Sequence, residues 1–237
     1  MRLSVVVPVY NEAENIPILA AELAALQPAI PDLEILLVDD GSTDATWPCI
    51  QEAERHHPGL RGIRCPANRG QTSAMLTGMR VARGDAIALI DGDLQNDPKD
   101  IPRMLDELKD CDAVCGYRAK RRDTWSRRIA SRLGNRIRNW VTRDGVRDTG
   151  CSLKVLRAAL VWDVPPVDGA HRFLPAYFRL HGRRIKEVPV NHRPRQHGTS
   201  KYTNWMRLPK TAFDLIGFTW YRKRILKHLA TNAPQSL

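Results

Sequence analysis

The chain carries the stretch Leu89-Ile-Asp-Gly-Asp-Leu-Gln-Asn-Asp97 at the end of an apolar run that begins at Ala86. Two aspartates thus stand at positions i and i+2 directly after a strand pattern, and Gln95 follows two residues later. In open α/β sheets, the carboxyl ends of strands line the ligand-binding crevice. Clustered oxygen ligands of this kind suit Mg²⁺ or Mn²⁺, ions that commonly bridge to the phosphates of a nucleotide. For an isolated Asp-Gly-Asp, a polar turn without any ligand is the alternative.

Two upstream segments repeat the same arrangement. Ser4–Glu12 and Ile35–Asp44 each begin with an apolar, β-branched run, continue into a polar turn and lead into a helical pattern. Strands that alternate with helices in this way predict an α/β fold with a mostly parallel central sheet and helices on both faces. Because parallel strands end at the same edge of a sheet, we expect Tyr10–Glu12, Asp39–Asp40 and Asp91–Asp93 to converge.

Such a convergence places five carboxylates at one sheet edge. They would repel one another unless a cation or hydrogen-bond donors compensated their charge. A divalent metal supplies the positive charge, and the base and ribose of a nucleotide supply donors. The sequence therefore predicts a metal–nucleotide site in which Asp91, Asp93 and Gln95 are the candidate metal ligands.

The charge of the chain is divided unevenly. Residues 1–117 contain 10 Lys and Arg against 19 Asp and Glu, whereas residues 118–237 contain 27 against 7. The acidic half holds the candidate metal ligands, and the basic half is suited to an anionic partner: nucleic acid, acidic lipid or a phosphorylated substrate. No nucleic-acid-binding motif is visible, so we expect no nucleic-acid partner. The five cysteines show no Cys-x-x-Cys metal pattern and are typical of reduced thiols.

Local signals predict several helices. Ser42 or Thr43 is expected to cap a helix that runs to about His56. Residues 118–147 contain 11 Lys and Arg, with apolar residues at steps of three or four, which indicates a basic amphipathic helix. Such a helix is typical of a membrane surface, with packing on the core as the alternative. A further helix is expected near Ser152.

Three motifs resemble the signature of the family 2 glycosyltransferases with the GT-A (Rossmann-like) fold. They are Pro8-Val-Tyr-Asn-Glu12, Asp39-Asp-Gly-Ser42 and Asp91-Gly-Asp-Leu-Gln95. Asp91-Gly-Asp-Leu-Gln-Asn-Asp-Pro98 and Arg195-Gln-His-Gly-Thr-Ser-Lys201 are similar to motifs of its polyprenyl-phosphate branch, typified by dolichyl-phosphate mannose synthase. The resemblance covers nearly the whole chain.

The resemblance implies a metal-dependent, inverting transfer of a hexose of mannose or glucose type from a GDP- or UDP-sugar to a polyprenyl phosphate such as dolichyl or undecaprenyl phosphate. Mg²⁺ or Mn²⁺ would be the cofactor. The whole chain, 1–237, would be one catalytic domain, with a nucleotide-sugar and metal half at 1–117, an acceptor half at 118–204 and an interfacial helical segment at 205–237. The implied nucleotide-binding residues are Pro8, Tyr10, Glu12, Asp39, Asp40 and Lys201.

The basic half would gather the acceptor phosphate. The resemblance implies contacts to that phosphate from Arg118, Arg127, Ser131 and Ser200, and it implies that Arg195 belongs to a loop closing over the donor pyrophosphate. Arg127 and Ser131 are four residues apart, which places them on one helix face. Arginine suits the task because its planar fork can hold two phosphate oxygens. Arg118 and Arg195 would thus act beside Asp91 and Asp93 in catalysis.

The carboxyl-terminal region predicts how the chain meets a membrane. The nearly apolar run Thr211–Tyr221 contains Asp214 and is shorter than the about 20 residues that a spanning helix needs. Trp220 and Tyr221 are followed by a basic stretch, a combination typical of a membrane interface. We therefore expect a cytoplasmic protein, peripheral at the cytoplasmic face of the membrane, which a separate anchoring subunit could also hold there. Core packing of this helix is the alternative.

Other interpretations stay open at this point. A glycosyltransferase of the same family acting on a glycan or protein would need no lipid. A non-enzymatic, nucleotide-responsive protein that binds nucleic acid or lipid belongs to a different class. Two residues also have two interpretations each: Asp148 contacts the sugar or acceptor or else caps the helix near Ser152, and His171 contacts a sugar hydroxyl or else is structural.

Overall fold

The computed structural model describes residues 1–119, 138–194 and 204–225, and for residues 204–211 the backbone alone. Seven strands are present in this part of the chain: β1 Leu3–Val9, β2 Leu33–Asp39, β3 Leu60–Arg64, β4 Ala86–Leu89, β5 Ala113–Arg118, β6 Lys154–Arg157 and β7 Ile185–Val190. The α-helices are α1 Ile16–Ala24, α2 Thr46–His56, α3 Gln71–Val81, α4 Ile101–Glu107, α5 Leu174–Leu180 and α6 Asn204–Arg224. Short 3₁₀ helices occupy Pro98–Asp100, Leu108–Asp110, Ala158–Asp163 and Ala170–Phe173.

The strands form one sheet in the order β3-β2-β1-β4-β6-β5-β7. β1 lies between β2 and β4 and pairs with both in parallel, and β2 pairs in parallel with β3. β6 is antiparallel to its neighbours β4 and β5, and β5 pairs in parallel with β7. The expectation of a mostly parallel sheet is therefore confirmed.

Helices cover both faces of the sheet, as predicted, and β1 shows how its side chains are divided. Val5 and Val7 pack on one face with residues of α1, α2 and α4. Val6, between them in sequence, points to the other face and joins a cluster with residues of α3, α5 and α6. Successive strand side chains point to opposite faces, so a strand buried on both faces is apolar at every position.

The predicted caps of α2 are wrong. The helix begins at Thr46, and neither Ser42 nor Thr43 caps it. The reason is a competing partner on the neighbouring loop. The Ser42 hydroxyl accepts a hydrogen bond from the backbone N–H of Asn11 at 2.9 Å, and the Thr43 N–H donates to the side-chain oxygen of Asn11, also at 2.9 Å. These residues join two loops instead of starting a helix.

The helix expected near Ser152 is also wrong, because the chain there enters strand β6. Lys154, Val155 and Leu156 pair with β4 on one side and β5 on the other. A four-residue segment has too few local hydrogen bonds to settle its own conformation, and two neighbouring strands supply the missing partners. Asp148 therefore has no helix to cap at this position.

The carboxyl-terminal helix α6 has two different faces. Phe218 is fully buried and stacks on Phe173, and Tyr221 packs edge-on against Tyr177. Phe213, Ile216 and Trp220 are exposed on the other face. Packing on the core therefore explains the apolar residues on one face of α6 and leaves those on the exposed face unexplained. Among the described helices, none is long and apolar enough to cross a membrane.

Candidate functional site

The loops after β1 and β2 are fastened together at the carboxyl edge of the sheet. Besides the Asn11 contacts, the backbone N–H of Glu12 donates to the Thr46 hydroxyl at 2.8 Å. Asn11 has a positive φ of 52°, a conformation that asparagine tolerates better than most residues. Because β1, β2 and β4 are adjacent and parallel, the convergence of Tyr10–Glu12, Asp39–Asp40 and Asp91–Asp93 at this edge is confirmed as a matter of topology. Pro8 and Tyr10, at the end of β1, are half-buried.

Asp39 lies completely inside the protein. Its Oδ1 accepts a hydrogen bond from Ser42 N–H at 2.9 Å. Its Oδ2 has no hydrogen-bond partner among the described residues, and its distance of 3.7 Å from Arg64 Nε is too long for a hydrogen bond. A buried carboxylate oxygen without a donor costs free energy.

Asp40 holds a neighbouring loop. Its two oxygens accept hydrogen bonds from the backbone N–H groups of Arg69 and Gly70, at 3.0 and 2.8 Å. Burial raises the pKa of Asp40, and the negative charge of Asp39 adds to that increase, although the two N–H donors oppose it. Asp40 thus fixes the turn that leads into α3, and this turn lies at the same sheet edge.

The Asp-x-Asp turn is positioned by two further contacts. Asp91 Oδ1 accepts a hydrogen bond from the Gln71 side chain at 2.8 Å, and Asp93 Oδ1 accepts one from the backbone N–H of Gln95 at 3.2 Å. Gly92 between them packs so closely on β1 that an added Cβ would lie 2.7 Å from Val9. The turn is therefore pressed onto the end of β1, with Asp91 and Asp93 partly accessible.

The donor set of this turn fits a divalent cation held jointly with a substrate. Within the described ranges, no three His, Cys, Asp or Glu side chains form a ready-made metal site. Mg²⁺, however, is usually bound by one or two carboxylates together with substrate phosphates, rather than by an all-protein cage. Asp91 and Asp93, with the amide oxygen of Gln95 nearby in sequence, match that pattern.

Arg118, at the end of β5, forms an ion pair with Asp148. Its Nε and Nη2 donate to Asp148 Oδ2 and Oδ1 at 2.7 and 2.9 Å, and its backbone N–H donates to Oδ2 at 3.2 Å. The Asp148 side chain is 7% exposed and that of Arg118 is 22% exposed. Gly150 lies over the pair, because a Cβ there would be 3.0 Å from Arg118 Nη2. Of the two interpretations of Asp148, helix capping is wrong, and the side chain instead orients Arg118.

His171 belongs to a second polar junction behind the site. Its Nδ1 lies 2.6 Å from the hydroxyl of Thr72, which also accepts a hydrogen bond from Gly169 N–H at 3.1 Å. The next residue, Arg172, forms a 2.6 Å ion pair with Asp214 of α6. The junction ties the start of α3, and with it Gln71 and Asp91, to the carboxyl-terminal helix. This geometry favours the structural interpretation of His171.

The segment after β7 runs alongside the Asp-x-Asp turn. Asn96 and His192 form an antiparallel bridge, and Arg193 N–H donates to the Gln95 carbonyl at 2.8 Å. The Arg193 guanidinium contacts Asp97, at 2.6 Å, and also Glu22. The Arg195 motif thus follows a segment anchored beside the candidate metal ligands. Five predicted contact residues lie outside the described residues: Arg127, Ser131, Arg195, Ser200 and Lys201.

Sequence reasoning missed Gln71, Thr72 and Arg193 as residues that position the site. Each makes its decisive contact with a residue at least 20 positions away, so no local pattern pointed to it. Two buried cysteines lie on the neighbouring strand β5 and in the loop before β6. Burial raises the pKa of Cys115 to about 12 and also raises the pKa of Cys151. Neither thiol is available as a thiolate at neutral pH.

Comparison with known proteins gives a family match. Residues 4–164 match the family described as Glycosyl transferase family 2. Dodecaprenyl-phosphate galacturonate synthase of Rhizobium johnstonii is 42% identical over 230 residues, which cover 94% of this chain and 68% of the relative. Undecaprenyl-phosphate 4-deoxy-4-formamido-L-arabinose transferase of an Enterobacter species is 37% identical over 219 residues, covering 91% and 66%. The chain thus spans about two thirds of the length of these relatives.

Solved structures confirm the GT-A fold. Glucosyl-3-phosphoglycerate synthase of Mycobacterium tuberculosis, in complex with Mn²⁺, uridine diphosphate and glucosyl-3-phosphoglycerate, superposes with a TM-score of 0.70 at 18% identity. That match covers 93% of this chain and 79% of the synthase. A mannosyltransferase of Pyrobaculum calidifontis with GDP-mannose and Mn²⁺ gives 0.61 at 23% identity, covering 79% and 55%. At such identities the likeness concerns the fold alone.

Proposed function

The chain belongs to glycosyl transferase family 2 and is a glycosyltransferase. We propose that it transfers a sugar from a nucleoside diphosphate sugar to a polyprenyl phosphate. Both relatives named above are, by their names, polyprenyl-phosphate sugar synthases or transferases, and each match covers more than nine tenths of this chain. The observation that carries the proposal is that two charged groups lie at one edge of the sheet. They are the acidic turn with Asp91 and Asp93 after β4 and the Arg118–Asp148 ion pair after β5. The non-enzymatic alternative is not retained, because the family consists of transferases.

The donor half rests on the loops after β1, β2 and β4. We assign Pro8, Tyr10, Glu12 and Asp39 to the binding of the base and ribose of a GDP- or UDP-sugar. Asp40 holds the 65–70 loop in place through Arg69 and Gly70. The loops after β1 and β2 are joined to each other through Asn11 before the donor arrives, so less ordering is needed on binding.

The proposed cofactor is Mg²⁺ or Mn²⁺, with Asp91, Asp93 and Gln95 as ligands. When bound, such an ion neutralises the negative charge that develops on the departing nucleotide. Gln71 donates a hydrogen bond to Oδ1 of Asp91 at 2.8 Å and so helps to position this carboxylate. Gly92 allows the turn to sit close to β1, which sets the height of both carboxylates above the sheet.

The acceptor needs positioning more than it needs a base. A phosphate monoester has a second pKa of about 6, so its attacking oxygen is already an anion at neutral pH. Arg118 is the proposed phosphate contact, because Asp148 fixes the plane of its guanidinium while a fifth of the side chain stays accessible. Arg127, Ser131, Arg195, Ser200 and Lys201 remain predicted contacts. In-line attack by the phosphate oxygen inverts the anomeric carbon, and holding both reactants in line lowers the barrier.

A lipid acceptor calls for contact with a membrane, and we propose a peripheral location at its cytoplasmic face. The exposed Phe213, Ile216 and Trp220 of α6 support this location, since aromatic and aliphatic side chains next to arginines suit an interface. A separate anchoring subunit stays a prediction. An acceptor that is a glycan or protein is the second candidate for this family, and it would make these exposed side chains unnecessary.

The test is sugar transfer to undecaprenyl phosphate, assayed by organic extraction of radiolabelled product. The donor panel contains GDP-mannose, UDP-glucose, UDP-galacturonate and a UDP-4-deoxy-4-formamido-arabinose, because the proposed hexose competes with the sugars of the two relatives. Reactions run with Mn²⁺, with Mg²⁺ and with EDTA. Asp93→Ala is compared with Asp110→Ala, which removes an exposed carboxylate after α4 and so controls for charge.

The expected result is extractable product from one donor, lost with EDTA and reduced at least about 100-fold in Asp93→Ala, as for removal of a group that stabilises transition-state charge. The Asp110→Ala variant should retain wild-type activity. Donor hydrolysis without lipid product would favour the glycan or protein acceptor. Product formation that survives both EDTA and Asp93→Ala would refute the metal assignment.

A further inference from the structure

A second basic site lies away from the sheet edge. A surface pocket of about 420 Å³ is lined by Thr142, Arg143, Arg179, Leu180 and Arg222. These residues come from three separate elements: the end of the helical stretch 138–142, the end of α5 and the last turn of α6. Arg222 is eight residues beyond Asp214, which is about 12 Å along the helix. The pocket is therefore distinct from the junction that α6 makes with the donor half.

The three arginines of this pocket have no carboxylate partner in the part of the chain that the structure describes. Within the described ranges, no Asp or Glu oxygen lies within the 4.0 Å ion-pair distance of Arg143, Arg179 or Arg222. Arginines on the same elements behave differently, because Arg172 pairs with Asp214, and Arg183 pairs with Asp163. Three like charges around one cavity repel one another, and an anion in the cavity would relieve that repulsion.

Arg143 is held in a conformation that its side chain does not favour. Its φ is 54°, in the left-handed region, and its N–H closes the helical stretch by donating to the Asn139 carbonyl at 2.8 Å. This position after a helix usually takes glycine or asparagine. A residue kept in a disfavoured backbone conformation points to a role for its side chain, and here that side chain lines the pocket.

Arg222 has donors to spare. Its Nη1 donates to the Val141 carbonyl at 2.6 Å and thereby caps the end of the helical stretch. A guanidinium has five N–H groups in a fixed fork, so this contact uses one of them. The cap also locks Arg222 in place at the pocket wall. A planar, preoriented fork is suited to the oxygens of a phosphate group.

We propose that Arg143, Arg179 and Arg222 form a binding site for a phosphate-bearing anion, separate from the catalytic acceptor site. The expected source is the headgroup of an anionic membrane lipid. Trp140, three residues before Arg143, is 80% exposed. Exposed tryptophan beside arginine is typical of a membrane interface. The choice of a lipid source rests on the proposed function, whereas the anion site does not.

The experiment measures binding of the full chain to vesicles of phosphatidylcholine with and without phosphatidylglycerol. The test variant is Arg143→Gln/Arg179→Gln, which leaves the Arg222 cap intact. The control variant is Arg2→Gln/Arg80→Gln, which removes the same charge from exposed arginines outside the pocket. Each basic contact with an anionic surface is worth about five-fold in affinity, so the test variant should lose about 25-fold and the control far less.

Free phosphate forms the second arm, in which inorganic phosphate is titrated while the melting temperature of each protein is followed. Stabilisation of the wild type and the control, but not of the test variant, together with unchanged vesicle binding by the test variant, would assign the pocket to a soluble phosphate. Loss of vesicle binding in the test variant alone assigns it to lipid. Equal behaviour of both variants in both arms would overturn the proposal.

A single substitution separates binding from folding. Arg143→Gly removes the side chain and relaxes the left-handed backbone, so the melting temperature should stay the same or rise while vesicle binding falls about five-fold. Sugar transfer to a detergent-solubilised acceptor should be unchanged in this variant, because neither Arg118 nor Asp93 lines the pocket. Failure of the sugar-transfer assay would thus bear on the proposed function and leave the vesicle result interpretable.

Discussion

The Arg118–Asp148 pair offers a direct test of how the acceptor half is held together. Asp148→Asn keeps the shape of the side chain but replaces one acceptor oxygen by an NH₂ donor. In the native protein the carboxylate accepts three hydrogen bonds from Arg118, at 2.7, 2.9 and 3.2 Å. The amide can satisfy at most one side of the guanidinium fork. The variant therefore leaves a mostly buried cation without its counter-charge.

The size of the effect follows from burial. Removing one partner of a fully buried ion pair costs about 3–5 kcal/mol. Water reaches part of Arg118, which is 22% exposed, so we expect a smaller loss than for a fully buried pair, about 2–3 kcal/mol in the free energy of unfolding. For a chain of this size that corresponds to a fall of several degrees in melting temperature. Orientation of Arg118 is lost as well, so the KM for the acceptor should rise more than kcat falls.

The assay is urea unfolding of the wild type, Asp148→Asn, Arg118→Met and the double variant. Because both single changes break the same contact, they should be non-additive by about 2 kcal/mol. The control is Asp106→Asn, whose carboxylate contacts Lys109 at 3.0 Å on the exposed surface and should cost less than about 0.5 kcal/mol. Additive effects, or a loss in Asp148→Asn no larger than in the control, would refute this reasoning.

Two further predictions concern the sheet. Gly78→Ala should destabilise the protein by about 1–3 kcal/mol in thermal unfolding, although alanine favours helices more than glycine does. The reason is that the new Cβ would collide with Val6 and lie 2.9 Å from Val38 Cγ2. An increase in stability would contradict this prediction. Burial acts to raise the pKa of Glu34, but hydrogen bonds from Ser4, the Arg83 backbone and Arg61 outweigh it and leave the pKa below its ordinary value. Glu34→Gln should therefore lower the free energy of unfolding by about 1–2 kcal/mol at pH 7. Urea unfolding across pH should show this loss shrinking as the pH falls through the folded-state pKa, which lies below 4.5. A loss that does not depend on pH would count against the prediction.

The elements that sequence reasoning predicted well are those with strong local patterns. β1 and β2 are continuous apolar runs ended by polar turns, and the structure places them at the predicted positions. The Asp-x-Asp turn follows directly from the end of β4, so its place at the sheet edge needed the strand pattern and the parallel topology alone. The interpretation of Ser42 and Thr43 failed because a cap signal does not reveal a competing partner 31 positions away.

By itself, the sequence determined the sheet edge at which the carboxylates gather, after three parallel strands, and it predicted that the basic half binds an anion. Strand alternation and turn residues are local properties, and each can be recognised within about ten residues. The tertiary structure alone decided that Asp148 pairs with Arg118 and Gln71 with Asp91, and it alone brought Arg143, Arg179 and Arg222 to one pocket. These residues lie from 20 to 79 positions apart in the sequence. Their choice depends on how strands and helices pack, and no local pattern contains that information.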